Sequence, residues 1–523
     1  MKKIIFLIVM AFFANNVYSA SIGRSATSVY PNSMDITTAP FTTDDWVSEV
    51  ITNGQNDAIM KIEVELGTKP AGAYNDVRTR LDTIARDTTT LSSSGLSKAQ
   101  IESSTFTNVG ADHFYGDGST LTGILTSSGT ARIPTVTISA NNSNIGVKSG
   151  SQYICTGLRD DIIIQQAITE LASGSRINFA EGDFSISSPI YITKSSITFS
   201  GVGYGTKLIF SSWSYLTDDH FGLFTTSQPV FGIVIRDMVL DGGWTPTLPA
   251  INCSTISGVA FNSSVDNLTI ENCKIQNFNY GGVVTRLSGA IVKNARFAKN
   301  TITNIRINHA IGFDRDGELI VVEANIISQV GSAGISIGGE SNTMPNISIT
   351  QNVITGGNGN GIGGGYLSTS TIVGNSISDF GQGISLGRSY NVVIANNALG
   401  NCGRDYRHSI DFVYNKNCII SNNIISGGTN NGIIIGDSIN NDIIISGNII
   451  TGKDVDGLET LNNERVCIIG NLIYNNGGKG FEVSGSSCVI TGNISYGNTS
   501  GDANITDTGI YGTGNSWNTT IKP

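Results

Sequence analysis

The stretch Ile443-Ile444-Ile445-Ser446-Gly447-Asn448-Ile449-Ile450 decides the fold, because it returns 23 residues later as Val466-Cys467-Ile468-Ile469-Gly470-Asn471-Leu472-Ile473. Outward from it, the same phrase of β-branched residues, asparagine, one residue and Ile or Leu runs from Asn300 to the C-terminus, and only its last copy departs, at Ser495. The asparagines are Asn300, Asn325, Asn352, Asn375, Asn397, Asn423, Asn448, Asn471 and Asn493, with gaps of 25, 27, 23, 22, 26, 25, 23 and 22 residues. A sustained period of about 24 residues marks a solenoid.

About nine residues after these asparagines comes a Gly followed by apolar alternation: Gly334-Ile335, Gly361-Ile362, Gly383-Ile384, Gly432-Ile433, Gly457-Leu458 and Gly480-Phe481. Two short strands per repeat, joined by Gly/Asn turns that leave no room for a helix, describe one coil of a parallel β-helix. Stacked coils lie about 4.8 Å apart, so equivalent positions form columns. The column Ile349, Ile372, Ile394, Ile420, Ile445, Ile468 and Ile490 is expected to face inward. The asparagines fit a turn whose side-chain amides bond to the next coil and which tolerates left-handed backbone. A leucine-rich repeat has a similar period but needs Leu at fixed spacings, and Ile dominates here.

Gly is 63 of 523 residues, charged residues are 14%, and the net charge is −10. That balance excludes a nucleic-acid surface, which needs clustered Lys and Arg. Lys2 and Lys3, the apolar run of residues 4–14 and Val17-Tyr18-Ser19-Ala20 read as a signal peptide, residues 1–20. The run is too short to span a bilayer. The expectation is a protein without a membrane span, secreted or at the cell surface. Its seven cysteines (Cys155, Cys253, Cys273, Cys402, Cys418, Cys467, Cys488) are odd in number and dispersed, and they read as small core residues. Cys418 and Cys488 fall in an inward column three coils apart, too far to bond, and Cys467 is offset from Cys488 by one position.

Residues 21–150 differ from the repeats and are expected to form a partly helical stalk or attachment segment. Val77, Leu81 and Ile84 make a narrow apolar stripe that calls for a partner helix, hence a homo-oligomer, for instance a trimer. The segments around Glu65-Leu66-Gly67-Thr68-Lys69-Pro70 and Gly116-Asp117-Gly118-Ser119 resemble linkers of phage fibre and tail proteins. From Thr156, Asp160-Asp161 can cap a helix with Ile164, Ala167, Ile168 and Leu171 on one side, a plug for the open end of the first coil.

The helix with Gln165-Gln166-Ala167-Ile168, then Phe179-Ala180-Glu181-Gly182-Asp183-Phe184, then Gly201-Val202-Gly203-Tyr204-Gly205-Thr206, resembles the entry of the pectin-lyase-like superfamily, in its pectate-lyase and tailspike branch. The resemblance implies an all-β, right-handed parallel β-helix over residues 151–515, with a tail at 516–523. It also implies lyase, hydrolase, epimerase or adhesin functions, among which fold does not choose.

Chemistry in such a solenoid sits on the outward columns of the second strand. Aligned on Ile311, Ile335, Ile362, Ile384, Ile410, Ile433, Leu458 and Phe481, the next outward column reads Gly312, Ser336, Gly363, Ser385, Asp411, Ile434, Glu459 and Glu482. Two residues before the same reference stand His309, Ala333, Asn360, Gln382, His408, Asn431, Asp456 and Lys479. The repeat after Asn397 carries about three extra residues within Asn401-Cys402-Gly403-Arg404-Asp405-Tyr406-Arg407-His408, a loop displaced from the stack.

These positions make Arg404, Arg407, His408, Asp411, Asp456 and Glu459 the candidate catalytic set. An arginine would neutralise a substrate carboxylate while His408 or Asp411 moves a proton. A solvated turn with ion pairs, such as Asp456 with Lys479, explains the same residues. Arg388, Tyr390, Tyr406, Tyr414 and Lys479 are candidate substrate contacts. Glu459 and Glu482, adjacent in one column, would hold calcium, share a proton or splay into water. A second patch, Arg306, His309, Asp314, Asp316 and Glu318, reads as surface ion pairing, with Arg286 facing Asp314.

Two functions from different classes follow. One is an exported protein that binds an acidic polysaccharide and cleaves or remodels it, as a lyase or a glycoside hydrolase. The other is a non-catalytic surface adhesin or tailspike-like fibre that binds glycans.

Overall fold

The computed structural model describes residues 135–211, 221–245, 256–285, 290–313, 317–338, 343–436, 440–506 and 512–517. The leader, residues 21–134 of the stalk, Cys253, Arg286, Asp314 and Asp316 lie outside these residues.

The described chain winds into an all-β parallel solenoid of about 12 turns. Strands pair in parallel from each coil to the next, and the register is the one the asparagine period dictates. Ile349, Ile372, Ile394, Ile420, Ile445, Ile468 and Ile490 are Cα partners in sequence along one column. Each of them is at most 1% exposed. Such a side chain contributes about 1.5–3 kcal/mol by leaving water, so the column alone accounts for much of the stacking.

The ladder asparagines are all buried. Asn375 shows the pattern: its backbone N–H and its side-chain amide both donate to Oδ1 of Asn397, each at 2.9 Å, and the amide's other hydrogen goes to the Ile349 carbonyl at 2.9 Å. The left-handed backbone expected at these asparagines lies one residue earlier, at Lys299, Ala324, Gln351, Gly374, Asn396, Asn422, Gly447, Gly470 and Gly492. The asparagine itself must point inward to reach its neighbours, so the outward residue before it makes the turn.

Thr135–Ser139 pairs with Arg176–Phe179, so the stack already includes a strand ahead of residue 151. Two α-helices occur among the described residues, Ile145–Ser149 and Asp160–Glu170. The second buries Ile164, Ala167 and Ile168 over the open end, as a plug should. Its N-cap is Arg159 in left-handed conformation, with no side-chain cap bond, rather than either aspartate. Asp160 accepts from Gly157 and Ser185 backbone N–H groups at 2.9 and 2.8 Å, and Asp161 from Ser187 at 2.9 Å. The two carboxylates therefore fasten the plug to the strand Gly182–Ile186 and to Ser187 just after it. The six described cysteines are free.

Candidate functional site

The outward column of the second strand is continuous in register: Ser385 pairs with Asp411, Asp411 with Ile434, Ile434 with Glu459 and Glu459 with Glu482. The residues two positions before the reference bond diagonally into this column, one coil on. Gln382 donates to Asp411 at 2.7 Å, Asn431 donates to Glu459, and Asp456 hydrogen-bonds Glu482. His408 breaks the rule. Its diagonal partner is Ile434, an apolar side chain 8% exposed, and its buried Nδ1 has no hydrogen-bond partner.

Oxygens of Asp456, Glu459 and Glu482 all lie within 4.8 Å of one another. Lys479 closes the group: its Nζ donates to Glu482 Oε1 at 2.6 Å and its backbone N–H to Asp456 Oδ1 at 2.6 Å. The ion partner of Lys479 is thus Glu482, not the expected Asp456. Asn504 adds a bond to Glu482 at 3.3 Å.

Two carboxyl groups bonded to each other need one proton between them. Burial raises the Asp456 pKa, and the bond to Glu482 raises it further. Burial also pushes Glu482 upward, but the Lys479 hydrogen bond and charge outweigh it and the Glu482 pKa falls. Of the two, Asp456 is the one whose protonated form is favoured. Glu459 is raised by burial and by the charges of Asp456 and Glu482. Asp411 is raised by burial against the opposing Gln382 bond.

His408 is lowered to about 4 by burial and by the charge of Lys453.

Arg404 and Arg407 are turned the other way. Arg404 donates to the Gly357 and Asp379 carbonyls at 3.1 and 2.6 Å, and Arg407 to the Asn358 carbonyl at 3.0 Å. Those carbonyls belong to preceding coils, whereas Asp456 and Glu459 lie on later ones, about 10 Å beyond Asp411 at the sheet spacing. Tyr406 is 95% exposed at the loop tip. Arg388 stands between two rings, its guanidinium 5.5 Å from the Tyr366 centroid and 5.8 Å from that of Tyr414, with a bond to the Tyr366 hydroxyl at 2.5 Å. The exposed Tyr390 hydroxyl bonds Ser368 and Thr343, which lower its pKa. In the second patch Glu318 pairs with Lys293 at 2.7 Å and Arg306 lies over Trp244 at 5.5 Å.

Sequence profiles agree with this architecture. The right-handed β-helix region profile matches residues 250–362 and 292–444, and that of the periplasmic copper-binding protein NosD matches 382–522. No curated protein matches the chain. Among solved structures, the surface adhesin PfbA of Streptococcus pneumoniae is 14% identical, covering 61% of this chain and 87% of its own, at a TM-score of 0.49. The A-module of the Azotobacter vinelandii mannuronan C-5 epimerase AlgE6 is 16% identical over 68% and 97%, at 0.48. The catalytic unit of a Streptomyces thermodiastaticus α-1,3-glucanase is 13% identical over 69% and 66%, at 0.46.

Among the described residues, no cluster of soft ligands suits copper. The described groups with metal-ligand spacing reduce to the all-oxygen set Asp456, Glu459 and Glu482, which suits hard cations. Within the NosD-matched segment, Cys402, Cys418 and Cys488 are buried in the core, whereas Cys467, expected there too, is half-buried on the outward side beside Ile444. Burial raises the Cys402 and Cys418 thiols to about 11.

Proposed function

Since the chain is a right-handed parallel β-helix protein, we propose that it binds a polysaccharide along the outward face of its second strands and cleaves or remodels it at Asp456, Glu459 and Glu482. The carrying observation is the divergence within this trio: burial and the bond to Glu482 raise the Asp456 pKa, while the Lys479 ammonium lowers that of Glu482. Carboxyl groups pushed apart in pKa are what general acid and base roles require. Asp456 is the proton donor toward a glycosidic oxygen, and Glu482 is the base. The two carboxyl groups hydrogen-bond each other, closer than the ~5 Å of a retaining pair or the ~6.5 Å of an inverting one, which favours proton abstraction and return over hydrolysis.

Asp411 and His408 lie two coils away, where a neighbouring sugar would sit. Arg388, framed by Tyr366 and Tyr414 and exposed, offers a cation to an acidic sugar and rings for stacking. Arg404 and Arg407 contribute by shaping the loop that carries His408. The leader-like residues 1–20 support a location outside the cytoplasm.

The test is a screen of uronate-containing and neutral glycans, with and without calcium. Ultraviolet absorbance reports unsaturated products of a lyase, and a reducing-end assay reports hydrolysis. Glycan binding without either signal would favour the adhesin reading.

A further inference from the structure

The position five residues after each ladder asparagine forms an inward column. Phe278, Ile305, Val330, Gly357 and Phe380 pair along it in register. At the same offset the later coils carry Cys402, Gly428, Lys453, Asn476 and Asn498. Lys453 is therefore a lysine in a core column, and it is 1% exposed.

Its backbone N–H donates to Asn476 Oδ1 at 3.0 Å, as that of Asn476 does to Asn498, so Lys453 heads a second asparagine ladder. Its ammonium goes further than an amide can. Nζ donates to the Gly427 carbonyl at 2.5 Å, and to the Cys402 carbonyl and Ser409 Oγ, two coils back, at 2.7 and 2.8 Å. Gly428 opens the path: a Cβ there would stand 2.0 Å from the Cys402 oxygen and 2.6 Å from Nζ. The same device recurs at Gly357, where a Cβ would lie 2.2 Å from the Phe380 ring. One glycine admits a ring and the other an ammonium.

Cys402 and Ser409 are the two ends of the inserted loop, and Ser409 Oγ also donates to the Cys402 carbonyl at 2.8 Å. We propose that Lys453 is a positioning residue, whose ammonium ties the neck of the loop of residues 402–409 from inside the solenoid and so sets His408 on the outward face. Core filling alone does not account for it, because burying an ammonium costs several kcal/mol and its three acceptors are neutral. Asparagine serves the next two coils without that cost.

The charged group that acts on His408 is Lys453, from within; Arg407 precedes it in the loop, and Asp411 follows in the strand Ile410–Val413. With burial, the Lys453 charge keeps the imidazole neutral at pH 7. The value of this to a glycan site rests on the function proposed above, whereas closure of the loop does not.

The full chain is compared with Lys453→Asn, which continues the ladder, and with Lys453→Met, which keeps the stem. Thermal unfolding reports the fold, trypsin cleavage after Arg404 and Arg407 reports the loop, and NMR titration reports His408. A folded variant is expected to be cut about tenfold faster, because cleavage tracks the open population, with His408 titrating closer to its ordinary value. Should neither variant fold, the native chain is cut at pH 7 and 9.5, since burial lowers the Lys453 pKa to about 8. Deprotonation removes one of the three donors, and cleavage should rise relative to a control peptide. Unchanged cleavage in a folded variant, or in the native chain across that pH range, overturns the proposal. Faster cleavage in a chain with no glycan activity or binding keeps the loop assignment and removes the glycan reading.

Discussion

Asn397 donates both its backbone N–H and its side-chain amide to Oδ1 of Asn423, at 2.9 and 3.0 Å, and both residues are buried. One oxygen thus satisfies two donors that water cannot reach. Asn423→Ala would strand both, and would also remove the amide bond to the Ile394 carbonyl. Each stranded buried group costs about 1–3 kcal/mol, so a loss of roughly 3 kcal/mol or more is expected in urea denaturation. A loss below about 1 kcal/mol would mean that water replaces the ladder.

Glu482→Gln removes the ionised partner while preserving shape. Proton transfer by a positioned group contributes about 10²–10⁴-fold, and the variant should lose activity on that scale with its fold and glycan binding intact. Equal activity in Glu482→Gln and the native chain would remove this trio from the chemistry.

Lys479→Met takes away the internal cation that neutralises Glu482. The three carboxyl groups should then recruit a hard cation in its place, so calcium affinity measured by calorimetry is expected to rise about tenfold above that of the native chain. No gain would show that protonation, rather than a cation, relieves the crowding.

The columns were legible in the sequence because a strand alternates strictly and the coil period carries that alternation forward, so Glu459 and Glu482 could be paired from spacing alone. The inserted loop was legible only as an insertion. Arg404 and Arg407 bond to carbonyls of residues 357, 358 and 379, and no column rule says where a long side chain on an irregular loop will go. Lys453 was not legible as a core residue because a lysine reads as exposed. The available signal was its offset, shared with Phe380, together with a glycine one coil earlier in both cases.

Asp411 sets up a pH dependence whose sign follows from its raised pKa. Between the ordinary carboxyl pKa and the raised one, the folded state binds more protons than the unfolded state. Stability therefore falls as pH rises through that window, with a slope that one proton limits to about 1.4 kcal/mol per pH unit. Asp411→Asn, which can still accept the Gln382 bond, should raise the urea midpoint at pH 7 and leave it nearly unchanged at pH 3. A lower midpoint at pH 7 would show that the ionised carboxylate is the form the fold selects.

His408 works in the opposite direction. With its pKa lowered to about 4, it stays neutral in the folded chain at pH values where an unfolded histidine, near 6.5, takes up a proton. Its contribution to stability is thus lost as pH falls from 6.5 toward 4. The cause is partly Ile434, which stands where the neighbouring diagonals place a polar partner, as in the bonds of Gln382 to Asp411 and Asn431 to Glu459. Ile434→Gln should complete the missing diagonal with a side-chain carbonyl that accepts from the imidazolium and so favours the charged form. The expected result is a His408 titration midpoint about one pH unit higher, read by NMR, and a shallower loss of stability between pH 6.5 and 4. An unmoved titration would show that the imidazole faces the core side of the loop, toward Lys453, and not the outward column.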